Sequence, residues 1–213
     1  MLQKQKIASF TCVLACMAVT AVAQVDYQKE IASQGSELSN TLINYRADKG
    51  SLDRFYFLEL SPERIERMTA FNKEYSKKLD AFNYGKLGLE GKVDYTLLRC
   101  NLQSELMVLD ADRKAAELAI QYLPFAKEVF TVEKARRRGA VPQSDSLAAN
   151  VQRWSNFLQQ KLGGLDADKT IDLPLGYAVE KMSNDLRDAL KSVHSFYNGY
   201  DPSYTWWMAT GYN

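Results

Sequence analysis

Apolar side chains recur every three or four residues in nearly every segment after Asp26, the spacing of one face of an α-helix. The longest series has gaps of three, four or seven throughout and predicts one long central helix, which Pro124 then kinks or breaks. Its members are Tyr95, Leu98, Leu102, Leu106, Leu109, Ala116, Ile120 and Leu123. We therefore predict an all-α fold: a multi-helix, bundle-like array that is part of a larger helical protein.

Capping and breaking residues bound the other predicted helices. Ser61, Pro62 and Glu63 are typical of a helix start, since they supply a cap, a first-turn proline and an acid at the positive end of the dipole. That helix ends near 83–85. The remaining predicted helices run from Ile31 to Tyr45 with a break at 47–50, from Phe125 to Arg138, from a cap at Ser144 or Asp145 to Gly163-Gly164, and from Leu175 to Tyr197.

The first 23 residues predict a secretory signal peptide. Lys4 and Lys6 precede an uncharged apolar run that is too short to span a bilayer and ends in small residues at Ala23. This places the mature chain, 24–213, in the periplasm or outside the cell. An alternative cleavage before Cys16 would give a lipid-anchored protein, because Leu14-Ala15-Cys16 is similar to a lipoprotein signal.

Charge and cysteine content limit the classes of partner. The chain has 27 basic and 26 acidic residues, and the predicted signal peptide holds two of the former and none of the latter. A nearly neutral mature chain does not favour a nucleic-acid partner. Cys100 is the one cysteine left after cleavage at Ala23, so no internal disulfide forms. We expect Cys100 to be a small buried residue rather than a catalytic thiol.

Residue types that carry catalysis are scarce. His194 is the one histidine, and it is expected to interact with the carbonyls at a helix C-terminus, since one histidine forms no His-based zinc site. Glu59, Glu63 and Glu66 lack the Glu-x-x-His partners of a di-metal bundle. They are expected to form local ion pairs with Arg64 and Arg67 on a solvated helix face.

Two further features have a structural and a functional interpretation. The basic run 136–138 is typical of a last helical turn, and phosphate or membrane binding is the alternative. The aromatic runs 55–57 and Trp206-Trp207 are expected in the core, with a ligand groove as the alternative. The ending 200–208 holds so many large side chains that it must fold back on the helices or contact a further region.

Several segments together resemble the N-terminal region of a bacterial family catalogued as domain of unknown function 885. They are FYFLELSPER at 55–64, GKVDYTLLR at 91–99, YLPF at 122–125 and YDPSYTWWM at 200–208. The resemblance covers most of the mature chain, and members are considerably longer. It implies a zinc-dependent peptidase similar to helical carboxypeptidases, whose His-Glu zinc signature lies downstream of the part represented here.

No position of this chain matches that zinc signature, so the resemblance assigns no catalytic, cofactor-binding or metal-binding residue. We hypothesise that the chain is the N-terminal, non-catalytic helical portion of an exported zinc-dependent peptidase. It would form part of a peptide-substrate cleft, with the C-terminal catalytic region as its partner. The alternative is a complete periplasmic helical binding module, or a lipoprotein, without enzymatic activity.

Overall fold

Residues 35–164 and 172–209 are described by the computed structural model, and these ranges contain seven α-helices, a short 3-10 helix and no strand. The all-α prediction is therefore confirmed. The helices are α1 (Ser39–Phe55), α2 (Pro62–Asp80), α3 (Leu89–Ala119), α4 (Ala126–Arg137), α5 (Ser144–Gly163), α6 (Leu173–Tyr197) and α7 (Pro202–Met208). The predicted signal peptide, Cys16 and the predicted start of the first helix lie outside the described residues.

Most predicted helix boundaries are confirmed. The Ser61 hydroxyl accepts a hydrogen bond from the Arg64 amide at 3.4 Å, and α2 begins at the next residue, Pro62. The long helix α3 starts earlier than its apolar series and ends at Ala119, before Pro124. Helix α4 is followed by Gly139 at φ +76°, a left-handed conformation that glycine adopts without a steric cost.

Two boundary predictions were wrong. Helix α1 does not end at 47–50 but continues to Phe55, because a helical glycine costs only about 1 kcal/mol and contacts on either side hold the turn. At the start of α5, neither Ser144 nor Asp145 is the cap. Gln143 occupies the cap position and its side chain makes no capping hydrogen bond.

One compact unit consists of the described residues 35–49 and 75–102. Its centre is a tyrosine pair, Tyr45 and Tyr75, whose rings meet edge to face with centroids 5.1 Å apart. The Tyr75 hydroxyl donates to Asp48 at 2.8 Å, and the Asn101 amide donates to the Tyr45 hydroxyl at 3.0 Å. The bond to Asp48 ties the helical segment around residue 48 to α2, and the bond to Tyr45 ties α1 to α3.

The second unit consists of the described residues 50–74, 103–164 and 172–209 and contains the main apolar core. Helix α4 packs on α6, and α5 packs on α7. Phe125 and Trp154 stack with centroids 5.8 Å apart in this core, which also contains Met182 and Val193. None of the described helices is long and apolar enough to cross a bilayer.

Candidate functional site: a groove between helices α2 and α3

A groove of about 840 Å³ lies in the second unit, between one face of α2 and one face of α3. The α2 side is the stripe Pro62, Ile65, Glu66, Thr69, Ala70 and Lys73. The α3 side is the stripe Leu106, Leu109, Asp110, Arg113, Ala116 and Glu117. Short side chains at Thr69, Ala70 and Ala116 leave space between the helices that longer residues would fill. The volume falls within the ~300–1,000 Å³ of ordinary ligand sites.

The floor of the groove is apolar. Leu60, Met182 and Phe130 close it from below, and each is at most 9% exposed. Ile120, which follows the end of α3, is partly buried at its side. An apolar ligand group placed on this floor would lose contact with water at a gain of roughly 25 cal/mol per Å².

Some charged side chains on the walls of the groove are paired with one another, and others are not. On α3, Arg113 donates to Asp110 at 2.6 Å and to Glu117 at 2.8 Å, and the Lys114 ammonium lies 2.7 Å from Asp110, so these two cations and two carboxylates neutralise one another. The hydrogen bonds from Lys114 and Arg113 hold the pKa of the Asp110 carboxyl below its usual value. Among the described residues, Glu66, Lys73 and Lys127 enter no ion pair. They are the charged groups of the groove that remain available to a ligand.

A buried carboxylate fixes one end of the groove. Asp185 of α6 is 7% exposed and accepts a 2.6 Å hydrogen bond from the backbone amide of Leu60, a floor residue. Burial raises the pKa of Asp185 to about 6, although the backbone amides of Leu60 and Glu59 donate to it and act in the opposite direction. Asp185 therefore holds the loop before α2 in place, as a positioning group beneath the groove.

Lys181 lies one helical turn before Asp185 and joins two other acids. Its ammonium group is 2.5 Å from Asp112 and 2.8 Å from Glu59. Burial disfavours the charged form, but the hydrogen bonds to these two carboxylates outweigh it and raise the pKa of Lys181. The predicted local ion pairing of Glu59 was therefore wrong, because its partner lies on a distant helix.

The arginine cluster comprises Arg136, Arg137 and Arg138 at the end of α4 with two acids, Glu133 and Glu63. Glu133 is fully buried and accepts from Arg136 at 2.9 Å and from Arg137 at 2.7 Å. Glu63 of α2 accepts from Arg137 at 2.8 Å and from Arg138 at 2.7 Å. The structural interpretation of the basic run therefore holds, although its partners are buried or distant acids as well as the helix dipole.

Glu63 is not on a solvated face with local partners, which corrects the prediction for this residue. Burial opposes its ionisation, but hydrogen bonds from Arg137, Lys134 and Arg138 outweigh burial and lower the pKa of the Glu63 carboxyl. Of the three predicted glutamates, Glu66 alone is an exposed groove residue. The structure does not bring Glu59, Glu63 and Glu66 together as one acidic site.

Phe55 and Tyr56 of the aromatic run 55–57 pack against the arginine cluster, and the expectation of core packing was wrong for this run. The Arg137 guanidinium carbon lies 4.6 Å from the Phe55 ring centroid and 5.3 Å from that of Tyr56. Phe55 is 41% exposed and Phe57 37%. This run does not line the groove.

The aromatic ending folds back in part. The Asp201 carboxylate accepts from the Tyr204 amide at 3.1 Å and caps α7, whose Tyr204 and Met208 are at most 2% exposed. Trp206 is 71% exposed and Trp207 44%, so the expectation of core packing was wrong for these two residues.

His194 lies in the last turn of α6, as predicted, but its ring contacts α7. Its Nδ1 is 3.5 Å from the Tyr204 hydroxyl, and burial lowers the pKa of the imidazole. Asn198 donates its backbone amide to the His194 carbonyl, so that carbonyl is satisfied by the chain.

Cys100 is exposed, so the expectation of a buried thiol was wrong. The buried residues of this part of α3 are Leu98 and Leu102. A residue two positions from each of them points to the other side of the helix.

The zinc that the resemblance implies does not fit the described residues. Within 35–164 and 172–209, no group of three or more His, Cys, Asp or Glu side chains is arranged to hold a metal ion. Comparison with protein-family models, with curated proteins and with solved structures finds no match for this chain.

The groove was not predicted from the sequence. Its signal is the small residues Thr69 and Ala70 in the middle of α2 and Ala116 near the end of α3, on the faces of two strongly periodic helices. Small residues on a helix face are also typical of closely packed helices. The pattern therefore indicates a groove only once the structure shows space between the two helix faces.

Proposed function

We propose that this chain is the N-terminal, non-catalytic helical portion of an exported zinc-dependent peptidase, and that the groove forms part of the cleft that holds the peptide. The groove is the observation that carries this proposal. Its floor of Leu60, Phe130 and Met182 accepts apolar side chains, and its volume of about 840 Å³ exceeds that of a single side chain. The catalytic step is assigned to a region that the resemblance implies and this chain does not supply.

The charges of the groove favour a peptide over a purely apolar ligand. Lys73 and Lys127 offer ammonium donors to carboxylates, and Glu66 offers an acceptor to amines or basic side chains. The α3 wall of Asp110, Arg113 and Glu117, whose charge Lys114 balances, adds a polar surface with no net charge. A peptide presents both signs of charge together with apolar side chains, so it matches all three parts of the lining.

The test of the peptidase assignment compares two proteins. One is the native protein purified from the exported fraction of the source organism, and the other is the recombinant chain 24–213. We expect the native protein to have a larger intact mass and to hydrolyse casein peptides in a reaction that a chelator stops. We expect the recombinant chain to hydrolyse nothing.

Chelator-sensitive hydrolysis by the recombinant chain alone would contradict the non-catalytic role. A native protein with the mass of residues 24–213 and no hydrolysis would contradict the peptidase assignment as a whole. It would leave the peptide-binding role of the groove to be tested by affinity alone.

A second candidate is a self-contained exported binding module without a catalytic region. The burial of Tyr204 and Met208 against the chain's own helices favours it, because α7 is then stabilised without a further region. The same intact-mass measurement distinguishes the two candidates. Mass spectrometry of the mature N-terminus also shows whether cleavage occurs at Ala23 or before Cys16, where lipidation would anchor the module.

A further inference from the structure

A second cavity, of about 420 Å³, lies between α5 and α6 beside the loop that follows α3. Its inner wall consists of Leu123, Phe125, Val151 and Leu186, each of which is at most 9% exposed. These four residues belong to the main core, so the cavity is an opening into that core.

The cavity is open to solvent on one side, so its apolar wall is in contact with water when no ligand is bound. An apolar group that enters it would remove this wall from water, at a gain of roughly 25 cal/mol per Å² of apolar area buried. The volume of about 420 Å³ lies within the range of about 300–1,000 Å³ for small-molecule sites.

The mouth of the cavity carries one charge. Among the described residues that line it, Arg187 is the only charged side chain and Ser183 the only hydroxyl. The Ser183 hydroxyl already donates to the Val179 carbonyl at 2.8 Å. Arg187 is 71% exposed, and its ion pair with Asp188 has a distance of 3.8 Å, which is beyond hydrogen-bond range. The guanidinium group therefore keeps its donors for another acceptor.

We propose that this cavity binds a single-chain fatty acid. The hydrocarbon chain lies against Leu123, Phe125 and Leu186, and the carboxylate accepts hydrogen bonds from Arg187 at the mouth. An apolar interior with one cation at the entrance is complementary to an amphiphile with one anionic end. This function goes beyond the peptide groove and does not depend on it, since the two sites share no lining residue.

Trp154 provides a direct readout. Its indole stacks on Phe125, a wall residue, with the two ring planes 18° apart. The chain has three tryptophans, so the double variant Trp206→Phe/Trp207→Phe leaves Trp154 as the single emitter. We expect laurate to change the emission of Trp154 in a saturable titration carried out below its micelle concentration.

Ligand charge and variant charge test the role of Arg187. Laurate should bind roughly fivefold more tightly than dodecanol, the size of effect expected for an exposed ion pair. The variant Arg187→Glu should remove this preference and favour dodecyltrimethylammonium. The control Lys77→Glu changes the net charge equally at an exposed position of α2 outside the lining, and it should leave the preference intact.

A second pair of variants tests the location. Ser183→Phe places a ring at the mouth from an exposed helix position and should weaken laurate binding, whereas Ser195→Phe, exposed on α6 outside the lining, should not. Circular dichroism shows that each variant is folded. The proposal is overturned if laurate gives no saturable change, if Ser183→Phe and Ser195→Phe bind it equally, or if dodecyltrimethylammonium binds the unmodified chain as tightly as laurate.

Discussion

The groove and the arginine cluster both contain residues of α2, but their charged side chains differ in whether they are paired within the chain. In the arginine cluster, Glu63 and Glu133 form ion pairs with three arginines of the same chain. In the groove, apolar floor residues face an open space, and charges such as Lys73 have no partner among the described residues. The cluster is therefore a structural device that joins α2 to α4, and the groove is a surface suited to a ligand.

A residue pattern that stands out in the sequence is not always available to bind a ligand in the structure. Three consecutive arginines suggest anion binding, yet Arg137 is only 8% exposed and is held by two carboxylates. By contrast, no sequence motif marks Thr69, Ala70 and Ala116, yet their small side chains leave the space that forms the groove. Charges that are paired within the chain stabilise the fold, and unpaired charges beside an apolar surface are where recognition is expected.

The largest effect is expected from removing the buried acid of the arginine cluster. Glu133→Ala leaves Arg136 and Arg137 with one carboxylate fewer in a buried site, so the free energy of unfolding should fall by about 3–5 kcal/mol. Urea unfolding followed by circular dichroism measures it. The control Glu117→Ala removes an exposed partner of Arg113 on the groove wall and should cost less than about 1 kcal/mol. Equal losses in the two variants would contradict the distinction between the sites.

The second effect concerns Asp185, which supports the groove floor through Leu60. Because burial raises its folded pKa to about 6 from 3.8, its stabilising contribution is fully present below pH 3.8 and is lost as the pH rises through 6. The stability of the unmodified chain relative to Asp185→Asn should therefore increase by about 2 kcal/mol between pH 7 and pH 4. Urea titrations of both proteins across this range test it, and a pH-independent difference would contradict the assignment.

A smaller effect is expected where α4 ends behind the arginine cluster. Gly139 has φ +76°, which an L-residue adopts at a cost of roughly 1–2 kcal/mol. Gly139→Ala should lower the unfolding free energy by about that amount. The control Gly163→Ala, at a helical position where an added methyl group meets nothing within 4 Å, should be neutral or stabilising. A loss in the control as large as in Gly139→Ala would show that backbone conformation is not the cause.

The sequence allowed the helices to be predicted because their signals are local. The apolar series of α3, Pro62 at the start of α2 and Gly163 at the end of α5 each act within a few residues. The break at 47–50 was predicted wrongly because the hydrogen bond that holds Asp48 comes from Tyr75, distant in sequence. The partners of Glu59 and Glu63 were missed for the same reason.

Local sequence patterns alone could not predict the groove. A groove exists where two helix faces stand apart, and this depends on how Leu60, Met182 and Phe130 from three other segments pack beneath them. The exposure of Cys100 could have been predicted from the sequence, because its position relative to Leu98 and Leu102 places it on the opposite side of α3.

Peptide affinity at the groove tests the central claim most directly. The probe is a fluorescein-labelled pool of casein peptides, titrated by anisotropy with the unmodified chain, with Ala70→Arg and with Ala111→Arg. Ala70 is an exposed groove residue of α2, and Ala111 is an exposed residue of α3 outside the lining. The new arginine side chain therefore enters the groove in Ala70→Arg and leaves the groove open in Ala111→Arg. Both variants should keep their stability within about 0.5 kcal/mol.

We predict that the unmodified chain and Ala111→Arg bind the peptide pool equally and that Ala70→Arg binds it at least about tenfold more weakly, a loss of roughly 1.4 kcal/mol of binding free energy. Equal binding by all three proteins, or no binding by the unmodified chain, would contradict the assignment of the groove as a peptide site.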